Sequence, residues 1–351
     1  MLFCMTTLGL TCISEELKEK DKQKYSFRTM TRKRFNDLCV KHGRNEAIYQ
    51  LSERILHNVI VTQYIINHCS RTNIRHYRLS SALFPLITDE SLEISLEELP
   101  NYLRIQEELR LTGIIALTFN ISIGSHPDQF NVLASDNAQS VERTIKELNF
   151  QSSILDKLGL AQDHTSPMNI HLNCALPKID ETLSNIDPES LNNFLIAEVA
   201  DKFYRNLMKC DKGVVNRLTL ENEDRGHWNV DNIIILSDYI FSKYSLNIPI
   251  CYDNLHDYCN PSEVIDVKWQ AERCAYTWVS QKKGLYITDD NNFISPVFHW
   301  SEGKPDKPRS HADYFSLGNF PPHIAIESDK PAKWECEVKA KDKAIRLLQK
   351  H

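Results

Sequence analysis

Eight short apolar segments recur along this chain of 351 residues, with stretches of helical periodicity between them. Short, continuous apolar runs are typical of strands that a parallel sheet buries on both faces. The predicted strands span residues 2–10, 74–79, 114–123, 168–172, 217–220, 248–252, 296–298 and 334–338. Strands and helices in this number and order predict an α/β fold, a (β/α)8 TIM barrel, with residues 1–351 in a single domain.

The predicted helices rest on apolar residues spaced three or four apart and on residues that cap or break helices. They span residues 53–68, 91–111, 140–159, 187–207, 229–244 and 262–279, and a Lys-rich helix closes the chain. We expect Gly113 to end the second of these helices and Ser140 to cap the third.

Six of the predicted strand ends carry a histidine or an acid, and the functional site of such a barrel lies at those ends. Glu221 is the expected centre, because a carboxylate that emerges from a buried strand can bridge two metal ions. Two further histidines follow strand ends closely. The candidate metal ligands are His126, His171, Glu221, Asp253, His256, His299, His311 and Glu337.

Mixed imidazole and carboxylate ligands are typical of Zn, Mn or Fe sites and less typical of Mg or Ca sites. Eight ligands exceed what one ion needs, which predicts two or three ions. Each residue taken alone is more often structural, and only the shared location at strand ends favours a metal site. A paired-carboxylate glycosidase built on Glu221, Glu223 and Asp224 is a competing interpretation, but it leaves the histidines unexplained.

Other features indicate where the protein acts. The 10 cysteines are scattered without a CxxC pair, which favours a reducing compartment. The apolar start of the chain lacks the basic flank of a signal peptide, and no run reaches the length of a membrane span. We therefore expect an intracellular protein that is not secreted. The net charge of −6 disfavours bulk nucleic-acid binding but permits a local basic patch.

Several short segments occur in the order seen in UV damage endonucleases, and the chain resembles this family (UVDE/UvsE) over nearly its whole length. The segments are Tyr77-Arg78-Leu79-Ser80-Ser81, Ser125-His126-Pro127-Asp128-Gln129-Phe130, Ile170-His171, Leu220-Glu221-Asn222, Asp253-Asn254-Leu255-His256, His299-Trp300-Ser301, His311-Ala312-Asp313-Tyr314 and Glu337-Val338-Lys339-Ala340-Lys341-Asp342. Each is short, but eight in register are specific.

The resemblance implies a barrel of the xylose-isomerase-like and apurinic-endonuclease-like superfamily with up to three divalent ions, Mn first and Zn or Mg as alternatives. It implies a DNA repair hydrolase that acts on damaged double-stranded DNA. Incision falls on the 5′ side of a UV photoproduct and leaves a 3′-hydroxyl and a 5′-phosphate. Because the sequence carries no sign of an oligomer, we expect a monomer with no membrane partner.

The resemblance also implies roles for single residues, carried over by motif. Glu221 resembles the bridging carboxylate, and with Glu337 and His256 it forms the expected catalytic set. His126 and His171 resemble the ligands of one outer ion. Asp253, His299 and Glu337 resemble ligands around the other ions. His256 and His311 resemble ligands of the third ion. Gln129 and Phe130 resemble the pair that probes the damaged site.

DNA phosphate is expected to contact a set of basic residues near the strand ends, namely Arg78, Lys304, Lys307, Arg309, Lys339 and Lys341. The chain departs from the family at three positions. Leu10 stands where the family has Tyr and Ser14 where it often has Asn, both at positions expected to contact the lesion. Val297 stands where the family often has a Lys thought to be modified and linked to a metal. These departures concern the range of lesions and the binding of one ion.

Three alternatives stay open. They are an apurinic-site endonuclease, a sugar isomerase of the same superfamily, and a damaged-DNA binder that has lost its activity. Sugar isomerases usually need fewer ions and no loop that wedges into DNA, so the segment 126–130 favours DNA. The full set of eight ligands argues against an inactive binder.

Overall fold

The computed structural model describes residues 6–178, 186–279, 293–325 and 330–350. Within them, eight parallel strands form the ring of the barrel: β1 (Thr7–Thr11), β2 (His76–Arg78), β3 (Ser122–Gly124), β4 (Met168–Ile170), β5 (Leu218–Glu221), β6 (Ile250–Cys251), β7 (Val297–Trp300) and β10 (Lys333–Cys336). One sheet has the order β3-β2-β1-β10-β7 and the other β4-β5-β6. Parallel bridges from Ser125 to Met168 and from Asp253 to His299 join the two sheets at both edges. The predicted (β/α)8 barrel is confirmed.

Between β7 and β10 a short antiparallel hairpin, β8 (Gly303–Lys304) and β9 (Lys307–His311), extends from the barrel. The helices are α1 (Glu15–Lys20), α2 (Lys22–Tyr25), α3 (Arg32–His42), α4 (Arg44–Arg71), α5 (Tyr102–Thr118), α6 (Ala138–Lys157), α7 (Pro188–Leu207), α8 (Lys212–Arg217), α9 (Val230–Tyr244), α10 (Asn254–Cys259), α11 (Val267–Ala275) and α12 (Asp342–Leu348).

Alternation along each strand separates the apolar core from a polar barrel interior, as β10 illustrates. Trp334 is fully buried, and its ring lies 5.3 Å from that of Phe298 and 5.4 Å from that of Trp300. The next residue, Glu335, points the other way and contacts His76 and Arg78 of β2. Because successive side chains of a strand face opposite sides, the barrel interior receives charged groups while the outer face packs on helices.

The predicted helix over 91–111 and the predicted strand over 114–123 are both wrong in their bounds. Helix α5 begins only after Pro100, which disfavours helical backbone in the residue before it. The helix then continues through Gly113. A Cβ atom at Gly113 would lie 1.7 Å from the carbonyl oxygen of Leu158, so the glycine permits close packing of α5 against the end of α6. It does not end the helix, and β3 is reduced to Ser122–Gly124.

Other bounds shift by a few residues. Asn137, not Ser140, caps α6, and its side chain accepts a hydrogen bond from the Ser140 amide at 3.1 Å. His299 lies inside β7 instead of after it, and Glu337, predicted inside a strand over 334–338, follows β10. The helix predicted over 262–279 is shorter, because Asp266 caps α11 at its start. Residues 2–5 of the first predicted strand lie outside the described residues.

Two further observations concern the described residues as a whole. No helix among them is both long enough and apolar enough to cross a membrane. All of the cysteines among them are free thiols, as their scattered spacing predicted.

Candidate metal centre

Glu221 ends β5 with its side chain 1% exposed and facing the barrel interior. One carboxylate oxygen, Oε2, accepts a hydrogen bond from the Asn169 amide and lies 3.0 Å from Nε2 of His126. The other, Oε1, lies 3.1 Å from Nδ1 of His256 and 3.1 Å from Nδ1 of His299. Its two oxygens therefore face different ligand groups, which is the arrangement that a bridging carboxylate requires.

Four imidazole rings surround this carboxylate. The ring centres of His126 and His171 are 5.3 Å apart, those of His171 and His256 5.6 Å, and those of His126 and His299 5.5 Å. His171 completes the group with Nε2 at 3.8 Å from Oε2 of Glu221. His299 is buried, whereas the other three rings are partly exposed at the mouth of the barrel. The site is therefore closed on the side of the barrel interior and open at the mouth of the barrel.

Backbone contacts orient two of the imidazoles. Nδ1 of His126 lies 2.9 Å from the carbonyl oxygen of Pro127, and Nδ1 of His256 lies 2.9 Å from that of Asn222. A carbonyl only accepts hydrogen bonds, so each Nδ1 carries the proton and donates it. In the neutral ring, Nε2 is then left with its lone pair, and metal-ligating histidines are commonly held in this way.

A second ligand group joins β6, β7 and the end of β10. Nδ1 of His299 lies 3.5 Å from Oδ2 of Asp253 and 3.6 Å from Oε1 of Glu337. The other oxygen of Asp253, Oδ1, caps α10 by accepting from the amides of Leu255 and His256 at 2.7 and 2.8 Å. The α10 cap therefore fixes the direction of the free carboxylate oxygen.

The donor atoms of this group fit a cation. His299 Nδ1 and Asp253 Oδ2 are buried and have no hydrogen-bond partner, although buried polar atoms are normally satisfied. Ligand atoms within 4.8 Å of one another form the sets His126–Glu221–His299, His171–Glu221–His256 and Asp253–His299–Glu337. Divalent cations among these atoms would satisfy both orphaned atoms and balance the buried carboxylates.

His311 lies at the rim of the site. It ends β9, with Nε2 3.8 Å from Oε2 of Glu337 and Nδ1 in contact with the Glu337 carbonyl oxygen. Its side chain is one-third exposed. The fold thus brings all eight predicted ligands together at one end of the barrel.

The electrostatics keep most of these groups ready to bind a cation. Burial alone would raise the pKa of Glu221, but the imidazoles of His299 and His171 hold it well below its ordinary value. Burial lowers the pKa of His171 to about 4, which leaves its ring neutral at pH 7. Burial would also lower the pKa of His256, but Asp253 and Glu221 raise it to about 10. A proton on His256 therefore competes with a metal ion.

Two groups in the site were missed by the sequence interpretation. Asn169 lies two residues before His171, within β4, and donates to Glu221. Glu335 is 3% exposed and contacts His76, Arg78 and His299 from within β10. The sequence did contain an indication of this role for Glu335. It stands two residues before Glu337 and therefore on the same face of the strand.

Three of the predicted DNA contacts do not reach the surface. Leu10 is fully buried in the apolar core, and Ser14 is buried with its hydroxyl donating to Asp342. Arg78 points into the barrel, where its guanidinium pairs with Glu335 and Glu337. In this structure the three side chains face into the protein and are not accessible to a lesion or a phosphate, so their predicted contact with DNA stays a prediction.

Lys341 is half-buried and donates to the buried hydroxyl of Thr11 at 2.9 Å, whereas the other predicted DNA contacts are accessible. Phe130 is 75% exposed. The backbone of Gln129 beside it is anchored, because its carbonyl oxygen accepts a hydrogen bond from the Asn173 side chain at 2.9 Å. Lys304 and Lys339 share Asp313 at 3.8 and 3.9 Å. Exposed Lys307 and Arg309 belong to β9 of the same hairpin, and the Arg309 guanidinium lies 3.5 Å from Asp224. These basic residues crowd one another, since Lys304 lowers the pKa of Lys339.

Comparison with known proteins gives consistent results. The family described as UV-endonuclease UvdE matches residues 6–351. A UV DNA damage endonuclease of Bacillus cereus (strain B4264) is 24% identical over 324 residues, which cover 92% of this chain and 87% of that protein. One from Nostoc sp. is 30% identical over 260 residues, 73% of this chain and 68% of that protein. The crystal structure of SacUVDE, 20% identical, covers 99% of both chains with a TM-score of 0.71, so the two share a fold.

Proposed function

The chain belongs to the UV-endonuclease UvdE family, and from this membership we propose a metal-dependent DNA repair endonuclease that nicks 5′ of a pyrimidine dimer. The products are a 3′-hydroxyl and a 5′-phosphate. The observation that carries this proposal is the convergence of four imidazoles on the buried carboxylate of Glu221, at the open end of the barrel.

Two or three divalent ions fit the donor set, Mn first and Zn or Mg as alternatives. Glu221 would be the ligand shared between ions, and His126 and His171 would hold one of them. Asp253, His299 and Glu337 would hold the others, with His256 and His311 as ligands at the rim. Such ions would supply an activated water and neutralise charge on the scissile phosphate. Asn169 keeps the Glu221 carboxylate in place by donating to Oε2, and Arg78 does the same for Glu337.

The loop after β3 supplies the lesion probe. Its turn is held by the amides of Phe130 and Asn131, which donate to the side chain and the carbonyl oxygen of Asp128 at 3.2 and 2.9 Å. Phe130 therefore projects from a defined turn. A photoproduct is already poorly paired, so its extrusion costs less than that of a normal base. Phe130 then fills the gap by stacking on the remaining bases.

The basic hairpin supplies the phosphate contact. Lys304, Lys307 and Arg309 of β8–β9, with Lys339 beyond β10, form a local positive surface on a chain of net charge −6. Such a surface binds the DNA backbone without reading its sequence. A DNA substrate and free thiols together favour action inside the cell.

A nicking assay tests the proposal. One labelled duplex carries a single cyclobutane pyrimidine dimer, a second an abasic site, and a third no damage, each with Mn²⁺ or with EDTA. We expect a nick just 5′ of the dimer in Mn²⁺ and none in EDTA. Cutting only at the abasic site would assign the chain to the apurinic-site class instead. Binding to the dimer without any cutting would identify an inactive binder.

A further inference from the structure

Glu335 lies inside the barrel, one layer below the candidate metal ligands, and contacts three cationic or ionisable groups. Its Oε1 lies 2.8 Å from Nε2 of His76, and its Oε2 lies 3.0 Å from Nη1 of Arg78 and 3.2 Å from Nε2 of His299. The contact with His299 follows from strand register, because Glu335 and His299 are directly paired residues of β10 and β7.

The ring of His299 stands between carboxylates on both sides. Nε2 faces Glu335, whereas Nδ1 faces Oε1 of Glu221 at 3.1 Å and the oxygens of Asp253 and Glu337 at 3.5 and 3.6 Å. A neutral imidazole has one N–H and one lone pair. A carboxylate attracts the N–H and repels the lone pair. The carboxylates at Nδ1 attract a proton in the same way, but a cation bound among them would take the lone pair of Nδ1. Glu335 would then accept the remaining N–H from Nε2, which is the tautomer that leaves Nδ1 free for the ligand group.

The surroundings of Glu335 are built to hold it in this position. Nδ1 of His76 lies 2.8 Å from the hydroxyl of Ser122, so the imidazole that contacts Glu335 is itself anchored. Gly9 of β1 leaves room for this ring, since a Cβ atom there would lie 3.0 Å from Cδ2 of His76. The guanidinium of Arg78 lies against the same carboxylate and balances its charge.

Arg78 connects Glu335 to a second candidate ligand, Glu337. Its guanidinium contacts Glu335 and Glu337 together, and the side chain is only 12% exposed. A single buried carboxylate thus orients His299 directly and Glu337 through Arg78. We propose that Glu335 is a positioning residue of the metal centre, which sets the tautomer of His299 and aligns Glu337. This inference rests on the metal centre of the proposed function and adds a residue to it.

Metal affinity of the variant Glu335→Gln tests the inference without DNA. The substitution keeps the size of the side chain and removes its charge. We expect Mn²⁺ binding, measured by calorimetric titration of the full chain, to weaken by about 10- to 100-fold, as for other partners of metal-bound histidines. The matched control is Asp231→Asn, which neutralises a carboxylate paired with Arg273 at 2.5 Å outside the ligand set. The control should bind Mn²⁺ as the wild type does.

The tautomer of His299 gives a readout that needs no variant of Glu335. Nitrogen NMR of ¹⁵N-histidine-labelled wild-type protein loaded with Zn²⁺, assigned with His299→Gln, should find the His299 proton on Nε2. A proton on Nδ1, or equal Mn²⁺ affinity in Glu335→Gln and the wild type, would overturn the inference. If Zn²⁺ and Mn²⁺ bind as expected but dimer-containing DNA is not cut, the inference stands and only the proposed function fails.

Discussion

Glu221 belongs to two of the three ligand sets of the centre, the one with His126 and His299 and the one with His171 and His256. Replacing it by Gln keeps the volume of the side chain but removes the charge that faces His126, His256 and His299. We expect Glu221→Gln to abolish metal-dependent nicking while far-UV circular dichroism stays unchanged. Glu272→Gln on the surface helix α11 is the control and should cut normally. Retained cutting by Glu221→Gln would exclude a bridging role.

Phe130 is a large apolar side chain that the fold leaves 75% exposed beside a polar site. Because it packs against little in the free protein, Phe130→Ala should change the melting temperature only slightly. Stacking on a base contributes about 1–3 kcal/mol. We therefore expect about 5- to 150-fold loss of affinity for dimer-containing duplex and less for undamaged duplex. Fluorescence anisotropy measures both.

The control for this prediction is Phe194→Ala, which truncates a phenylalanine that is 45% exposed on α7. It should leave both affinities unchanged. Equal losses for damaged and undamaged DNA in Phe130→Ala would mean that the side chain contacts DNA without sensing the lesion.

At the scale of elements, the β8–β9 hairpin concentrates positive charge. Each phosphate contact that is lost lowers the slope of log Kd against log salt by about 1. We expect Lys339→Gln, and separately Arg309→Gln, to reduce the slope by this amount on damaged and undamaged duplexes alike. Lys268→Gln on α11, 64% exposed, is the control. A slope that neither Lys339→Gln nor Arg309→Gln changes would place the phosphate contact elsewhere.

The junction of α5 and α6 depends on the absence of a side chain at Gly113. Gly113→Ala puts a methyl group 1.7 Å from the Leu158 carbonyl oxygen, and this backbone must move. Overpacking of this kind costs about 1–3 kcal/mol, which lowers the melting temperature by about 1–4 °C. Ile114→Ala, on the exposed side of the same helix, should have little effect. A fully stable Gly113→Ala would show that the two helices are farther apart.

At the scale of the whole molecule, the charged barrel interior makes stability depend on pH and on metal. The pKa values of Glu221, Glu335 and Glu337 are lower in the fold than in an unfolded chain. Their contribution to stability is present above about pH 4.3 and is lost as the pH falls through the folded values. The pKa of His256 is instead raised to about 10, so its contribution is present below about pH 6.5 and is lost as the pH rises through 10.

We expect the melting temperature of the metal-free protein to fall both below pH 4 and towards pH 10. At pH 7.5, Mn²⁺ at 100 times its Kd adds about 2.7 kcal/mol of stability and raises the melting temperature by about 4 °C. Differential scanning fluorimetry in EDTA and after addition of Mn²⁺ measures both effects. Glu221→Gln should lose the response to Mn²⁺, and a full response there would locate the bound ion elsewhere.

The sequence by itself predicted the barrel and its eight candidate ligands, because both depend on local pattern. Buried strands are short apolar runs, and in a parallel barrel their carboxyl ends meet at one face. Residues as distant in sequence as His126 and Glu337 could therefore be assigned to one site. The convergence needed no knowledge of which strand pairs with which.

Tertiary structure decided what depends on register and on packing partners. Glu335 contacts His299 only because β10 and β7 pair at those residues. Leu10, Ser14 and Arg78 face away from the surface because of their neighbours in the core. Gly113 indicates a helix break until Leu158 is known to lie against it. Periodicity in the sequence indicates which face of an element is buried, but it does not identify the atoms that pack against that face. These packing partners determine where α5 begins and ends and which charged groups lie beneath the metal centre.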